Sequence, residues 1–245
     1  MKGATFVAPF LLILFSIHLT MKKIAVIVAG GSGLRMGNDM PKQFLLLKQK
    51  PLLWYTLQAF LAAFEDLQII LVLPETFIAE GENIRRDLNG KERILITKGG
   101  ATRFNSVQNG LQLITEPSVV FVHDGVRCLV TADLIKRCYE QAIEKGSAIP
   151  AVAATDSIRI VNKHRHTAAD RNNVRIIQTP QTFLSTILLP AFQTPYQESF
   201  TDEATVVEAS GKEVFLIEGD HENIKVTRPA DLLIAEKIVA DRLFL

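Results

Sequence analysis

Cysteine is nearly absent from this chain, and the two it has, Cys128 and Cys138, are not spaced as metal ligands. A thiolate metal centre and a disulfide-stapled secreted domain are both excluded, and the pair reads as reduced thiols of a cytoplasmic protein. An excess of one charge is missing too: 27 basic against 26 acidic residues leave a net charge of +1. No general field attracts a nucleic-acid polymer, so any phosphate binding falls to local basic clusters. Internal repeats and low-complexity linkers are lacking. With 245 residues, 48% of them hydrophobic, one α/β domain over 21–245 with a sizeable core is the natural reading.

A long hydrophobic run is also lacking. The apolar stretch centred on Phe10–Phe15 is shorter than the ~20 residues a spanning helix needs. No A-x-A-like cleavage site follows it before Met21. Residues 1–20 are therefore read as an upstream extension, with Met21 as the true start; a hydrophobic leader or a membrane anchor are the other readings. Membrane contact is not expected, and nothing after Met21 needs an oxidising compartment.

What is present is an alternation of strand-like and helical runs. Ile24–Val28, Gln68–Leu73, Arg93–Thr97, Val119–His123 and Ala148–Ala154 read as strands. Leu52–Phe64, Ile78–Leu88, Arg103–Ile114 and Thr131–Lys145 read as the helices between them, with Thr131 as an N-cap. This rhythm predicts a doubly wound, mainly parallel sheet with its site at the carboxyl ends of the strands. From Asp156 to Arg175 the rhythm breaks. Ser157–Val161 alternates like a strand, and the polar, basic Asn162–His166 reads as the tip of a solvated hairpin. Phe183–Gln193 and Asp202–Ala209 then read as helices, the second stopped by Gly211. Val214–Ile217 reads as a strand and Arg228–Leu243 as a last helix, with Pro229 near its start.

The most informative stretch is Ala29-Gly30-Gly31-Ser32-Gly33-Leu34-Arg35-Met36-Gly37, followed by Pro41-Lys42-Gln43. Glycines at the end of a buried strand let backbone N–H groups turn around phosphate oxygens. Arg35 and Lys42 add fixed positive charge, as attack on a triphosphate requires. The loop is neither a Walker A motif, since no Gly-Lys-Ser/Thr follows, nor the dinucleotide fingerprint. Gly99-Gly100-Ala101-Thr102-Arg103-Phe104-Asn105-Ser106-Val107 offers backbone groups and the Ser106 hydroxyl to the edge of a base, or is simply a glycine turn. His123-Asp124-Gly125-Val126-Arg127 puts a carboxylate at a strand's carboxyl end, suited to Mg²⁺, to a substrate hydroxyl or to capping a turn. Lys225, in Asn223-Ile224-Lys225-Val226-Thr227-Arg228-Pro229, alternates outward from its apolar neighbours and is placed at the sheet end.

Taken together, these motifs resemble the cytidylyltransferase family of the non-mevalonate isoprenoid pathway, from about Lys22 to Arg242. The resemblance implies a Rossmann-like nucleotidyltransferase that moves CMP from CTP to the polyol phosphate 2-C-methyl-D-erythritol 4-phosphate. It implies Arg35 and Lys42 as catalytic cations, with Ala29, Gly30, Gly31, Gly33, Gly100 and Ser106 around the nucleotide. Asp124, Arg127, Ser157, Arg171 and Lys225 fall at the polyol phosphate. The resemblance further implies Mg²⁺ on the triphosphate with Asp124 nearby, and a protruding β-arm over residues 156–175 that crosses to a second subunit of a homodimer. Ala101 departs from the acidic residue frequent at its position, Cys128 from a proline, and Ser157 from a threonine whose hydroxyl it keeps. A ribitol-5-phosphate cytidylyltransferase shares several of the motifs, and a non-catalytic nucleotide-binding module is the reading from another class. Asp170-Arg171-Asn172 and the Asn-Ile-Lys-Val-Thr-Arg-Pro string favour the methylerythritol substrate over ribitol.

Overall fold

Lys22–Val28 forms β1, and its last five residues are buried. A strand apolar on both faces needs cover on both sides and partners at both edges. The computed structural model, which describes residues 21–30, 41–163 and 165–242, supplies both. Residues 1–20 and Leu243 lie outside the described residues. Strand β1 is flanked in parallel by β4 (Gln68–Leu73) and β6 (Ser118–Asp124). The short hairpin of β2 (Leu46–Leu47) and β3 (Lys50–Pro51) stands apart. Strand β5 (Ile94–Lys98) closes one edge. On the other side lie β7 (Ser147–Ala153), β10 (Arg175–Ile177), β11 (Gln181–Leu184) and β12 (Leu216–Glu218), in the order β10-β7-β11-β6-β1-β4-β5 with β12 paired to β7. Most pairs are parallel; β10 and β11 run antiparallel to their neighbours.

Alternate residues of β1 sort into two cores, as a pleated strand requires. Ala25 and Ile27 pack with Leu53, Leu57 and Phe60 of α1 (Leu52–Ala63) and with Leu134, Ile135 and Cys138 of α4 (Ala132–Lys145). Ile24, Val26 and Val28 pack instead with Phe104, Val107 and Leu111 of α3 (Arg103–Leu111), and with α5 (Ser185–Ala191) and α6 (Glu203–Ala209). Helix α2 (Ile78–Arg86) covers β5 on the first face. Helix α3 comes so close to the sheet that a Cβ on Gly110 would lie 2.7 Å from Val26 Cγ1. The Thr131 hydroxyl accepts from Leu134 N and caps α4, and Gly211, at φ +80°, follows α6.

One sequence reading is corrected. Phe183 does not open a helix: it is fully buried within β11, between β6 and β7, and the helix begins at Ser185. A short apolar run does not distinguish a buried strand from a buried helix by its period alone. Within residues 156–175, β8 (Ile158–Asn162) and β9 (Arg165–Ala169) form a largely exposed hairpin, paired among the described residues only with each other, and Arg175 already belongs to β10. The last helix, α7, spans Pro229–Arg242. Among the described residues no helix is long and apolar enough to cross a membrane.

Candidate functional site

Strands β1 and β6 end level with each other, Val28 beside Asp124, and a cleft of about 260 Å³ opens at their carboxyl ends. Ala29 and Gly30 form one wall, Gly100 and Ser106 another, and Lys42, Asp124 and Lys225 bring charge to it. Arg103, Gln43, Val126 and Thr227 complete much of the remaining lining. Gly31, Gly33 and Arg35 lie outside the described residues. The sequence thus brings together four predicted nucleotide residues, one predicted catalytic lysine and two residues predicted at the polyol phosphate.

Each of these is positioned by a local device. Gln43 is 1% exposed, and its side-chain amide donates to Ala29 O at 2.6 Å. That bond anchors the turn carrying Lys42 to the end of β1. Ser106 Oγ accepts from Gly100 N at 3.1 Å and donates to Thr102 O at 2.9 Å. Its hydroxyl therefore holds the Gly99–Thr102 loop in shape rather than standing open to a base. Gly100 is needed for that shape, because a Cβ there would lie 2.4 Å from Asn105 Cβ.

The loop bearing Lys225 is irregular, not the strand end expected from sequence, yet its alternation survives. Val226 is fully buried, with its N–H bonded to Val126 O at 3.0 Å, and Lys225 reaches the cleft. The Asp231 carboxylate accepts from Thr227 N, Thr227 Oγ1 and Arg228 N, which closes the loop onto α7.

Asp124 is the electrostatic centre. Its Oδ1 accepts from Arg103 Nε at 3.1 Å and its Oδ2 from Lys225 Nζ at 2.8 Å, with Arg127 Nε 3.8 Å away. Burial alone would raise its carboxyl, but Arg103, Lys225 and Arg127 outweigh that and hold it well below the usual carboxylate range. Arg103 also makes a bidentate pair with Glu203, Nη1 to Oε1 and Nη2 to Oε2. Glu203 is 1% exposed; burial raises its carboxyl, and the Arg103 guanidinium opposes that rise. Arg103 escapes a sequence reading that stops at separate motifs, and its signal was the arginine inside Gly-Gly-x-x-Arg. Glu203 is the second acid of Thr201-Asp202-Glu203-Ala204, an acidic pair that the resemblance already marks for a site role, though not its pairing with Arg103.

Arg127, expected at the polyol phosphate, does not line the cleft. It donates to Asn223 O at 2.9 Å and Ile177 O at 3.4 Å, because its guanidinium ties the Lys225 loop to the sheet. His123 is fully buried and neutral. Its Nδ1 accepts from Thr179 Oγ1 at 2.9 Å, which leaves Nε2 to donate to Arg127 O at 3.1 Å. Burial pushes it down to about 3. Thr179 Oγ1 in turn accepts from Asp124 N at 3.1 Å. Ser157 and Arg171 are not brought to the cleft within one chain. They line a separate hollow at the root of the arm with Arg159 and Asp170, where Arg171 donates to Thr155 O at 3.0 Å. Asp202 caps α6 through Thr205 N. Cys128 and Cys138 are buried free thiols, each pushed up to about 12 by burial, and stay protonated.

A metal cage made by protein alone is not found: among the described residues no three His, Cys, Asp or Glu side chains cluster to hold an ion. Both oxygens of Asp124 already face cations. That donor set does not suit Asp124 as a primary metal ligand.

The IspD, 2-C-methyl-D-erythritol 4-phosphate cytidylyltransferase, family model matches residues 23–241. A relative of that name from Phocaeicola vulgatus is 44% identical over 219 residues, covering 89% of this chain and all of its own length. One from Porphyromonas gingivalis is 44% identical over 222 residues, covering 90% of this chain and 99% of its own. Among solved structures, the Francisella tularensis 2-C-methyl-D-erythritol 4-phosphate cytidylyltransferase is 32% identical, with a TM-score of 0.73 over 88% of this chain and 99% of that one. The Thermus thermophilus protein of the same name is 28% identical, with a TM-score of 0.69 over 89% and 99%. With a match running from β1 to the last turns of α7 and through every motif of the cleft, this chain belongs to the 2-C-methyl-D-erythritol 4-phosphate cytidylyltransferase family.

Proposed function

We propose that the cleft transfers CMP from CTP to 2-C-methyl-D-erythritol 4-phosphate and releases pyrophosphate. A phosphate oxygen of the polyol phosphate attacks the α-phosphorus of CTP. One P–O bond forms there as the bond to the β-phosphate's bridging oxygen breaks. Such a displacement needs alignment and charge neutralisation rather than a covalent intermediate. The observation that carries the reading is the placement of Lys42 and Lys225 in one cleft with the backbone of Ala29, Gly30 and Gly100.

In this reading Ala29, Gly30 and Gly100 border the nucleotide. Lys42, with Arg35, meets the charge that grows on the phosphates. Lys225, held by Asp124, faces the incoming polyol phosphate. Bound Mg²⁺ would supply charge neutralisation on the triphosphate, with Asp124 nearby but engaged by Arg103 and Lys225.

Arg171 and Ser157 need a second copy to contribute. An isolated two-stranded hairpin is marginal in water, and among the described residues β8 and β9 pair with nothing else while leaving Ile160 and Val161 exposed. A homodimer that buries each arm against its neighbour would cover those side chains and carry Arg171 toward the neighbour's polyol phosphate. Pyrophosphate release from CTP and Mg²⁺ tests the reading. It should require 2-C-methyl-D-erythritol 4-phosphate; release that is independent of any polyol phosphate would contradict it.

A further inference from the structure

Glu203 is a fully buried carboxylate that the proposed mechanism does not use. Burying an ion pair is seldom the cheapest way to hold a fold together, since apolar residues of similar volume frequently do as well. The start of α6 is also secured without it. Asp202 forms a capping box with Thr205. Gln181 on β11 donates to Asp202 Oδ2 at 2.8 Å and accepts from Ala204 N at 2.8 Å. Glu203 is thereby delivered to a fixed point beside β6, and there its two oxygens take both terminal nitrogens of Arg103. Nε of Arg103 is then the nitrogen that meets Asp124 Oδ1, at 3.1 Å. Asp124 Oδ2 takes Lys225 at 2.8 Å, with Arg127 Nε farther off at 3.8 Å.

We propose that Glu203 is a positioning residue for cytidylyl transfer. By fixing the Arg103 guanidinium it sets the orientation of Asp124, and through Asp124 it sets where the Lys225 ammonium stands for the incoming phosphate. Without the Glu203 charge, Arg103 is free to present Nη1 and Nη2 to both oxygens of Asp124 as a bidentate fork. Lys225 then loses its partner. The nucleotide wall does not depend on this chain of contacts. Its loop is closed by Ser106 on Gly100 and Thr102, and by the Thr102 hydroxyl that accepts from Asn105 N at 3.2 Å. The inference rests on the transfer reaction proposed above.

The test is a double-variant cycle. Glu203→Gln keeps the shape and removes the charge, and Arg103→Lys keeps a charge but cannot form the bidentate fork. Each should lower kcat/KM for the polyol phosphate by about tenfold or more, while calorimetric Kd for CTP changes by less than about threefold. In an Asp124→Asn background the Glu203→Gln change should cost less than about twofold more, because the route through Asp124 is already broken. Equal losses in both backgrounds would overturn the proposal, as would CTP binding weakened in step with turnover. If Glu203→Gln does not fold, Arg103→Lys decides: a folded Arg103→Lys enzyme with wild-type kcat/KM overturns it. The wild-type enzyme separates the two readings, since absence of turnover there defeats the transfer reaction itself and not the role of Glu203.

Discussion

Lys225 Nζ stands 2.8 Å from Asp124 Oδ2, joining the end of a central strand to an irregular loop just ahead of the last helix. The contact places a lysine, 43% exposed at its side chain, against a carboxylate only 10% exposed. Half the pair is thus open to a ligand while the other half is fixed. Lys225→Ala should therefore lower kcat/KM for the polyol phosphate on the order of 10²-fold, as loss of a preorganised charge does elsewhere. CTP affinity should change far less. Steady-state kinetics with each substrate varied in turn checks this, and a loss confined to CTP would place Lys225 on the wrong substrate.

Lys42 is fixed by its neighbour, since the Gln43 amide is bonded to the end of β1. Lys42→Ala should reduce kcat on the order of 10²-fold or more. Partly exposed in the cleft wall, Lys42 contributes little to the core, so Tm should move by no more than about 2 °C. Near-normal kcat in a folded variant would remove it from the mechanism.

The buried His123 gives the fold a pH dependence with a definite sign. Burial holds it neutral down to about pH 3 in the folded protein, whereas an unfolded histidine takes up its proton near pH 6.5. The unfolded state therefore binds more protons between these values, and stability falls as pH drops from about 6.5 toward 3. Asp124, held low by Arg103 and Lys225 against its burial, adds its own loss only at more acid pH. The urea midpoint should decline from pH 7 to pH 4 in the wild type and stay flatter in His123→Gln. Parallel declines in the two proteins would contradict this account of His123.

The arm makes a prediction that no single-chain site makes. Lys42→Ala and Arg171→Ala should each be inactive or nearly so, yet mixing them should restore part of the activity. A mixed dimer with swapped arms holds one site with both wild-type residues. If the mixture stays inactive although subunits exchange, Arg171 serves its own chain; a fully active monomer would remove the arm from the mechanism.

Much of this was legible in the sequence because the core strands are apolar on both faces and are separated by clear helical periods. Gln68–Leu73 and the capping of α4 by Thr131 lie where the sequence put them. Phe183 did not, because a four-residue buried strand running straight into a helix carries no period of its own. The cleft was legible as separate motifs: Lys42, Asp124 and Lys225 do converge. Their electrostatic organisation was not, since the Arg103–Glu203 pair joins two segments with no shared local pattern. The partners of Arg127 were not legible for a related reason. A motif gives a residue's neighbourhood, whereas the carbonyls of Asn223 and Ile177 that capture its guanidinium come from elsewhere in the chain.

The most direct test of the central claim is pyrophosphate release by the purified protein with Mg²⁺, across CTP, UTP, ATP and GTP and a panel of polyol phosphates. The account predicts turnover with CTP and 2-C-methyl-D-erythritol 4-phosphate far above every other combination, ribitol 5-phosphate included. Equal turnover with UTP would contradict the cytidylyl assignment, and a preference for ribitol 5-phosphate would contradict the assignment of the acceptor.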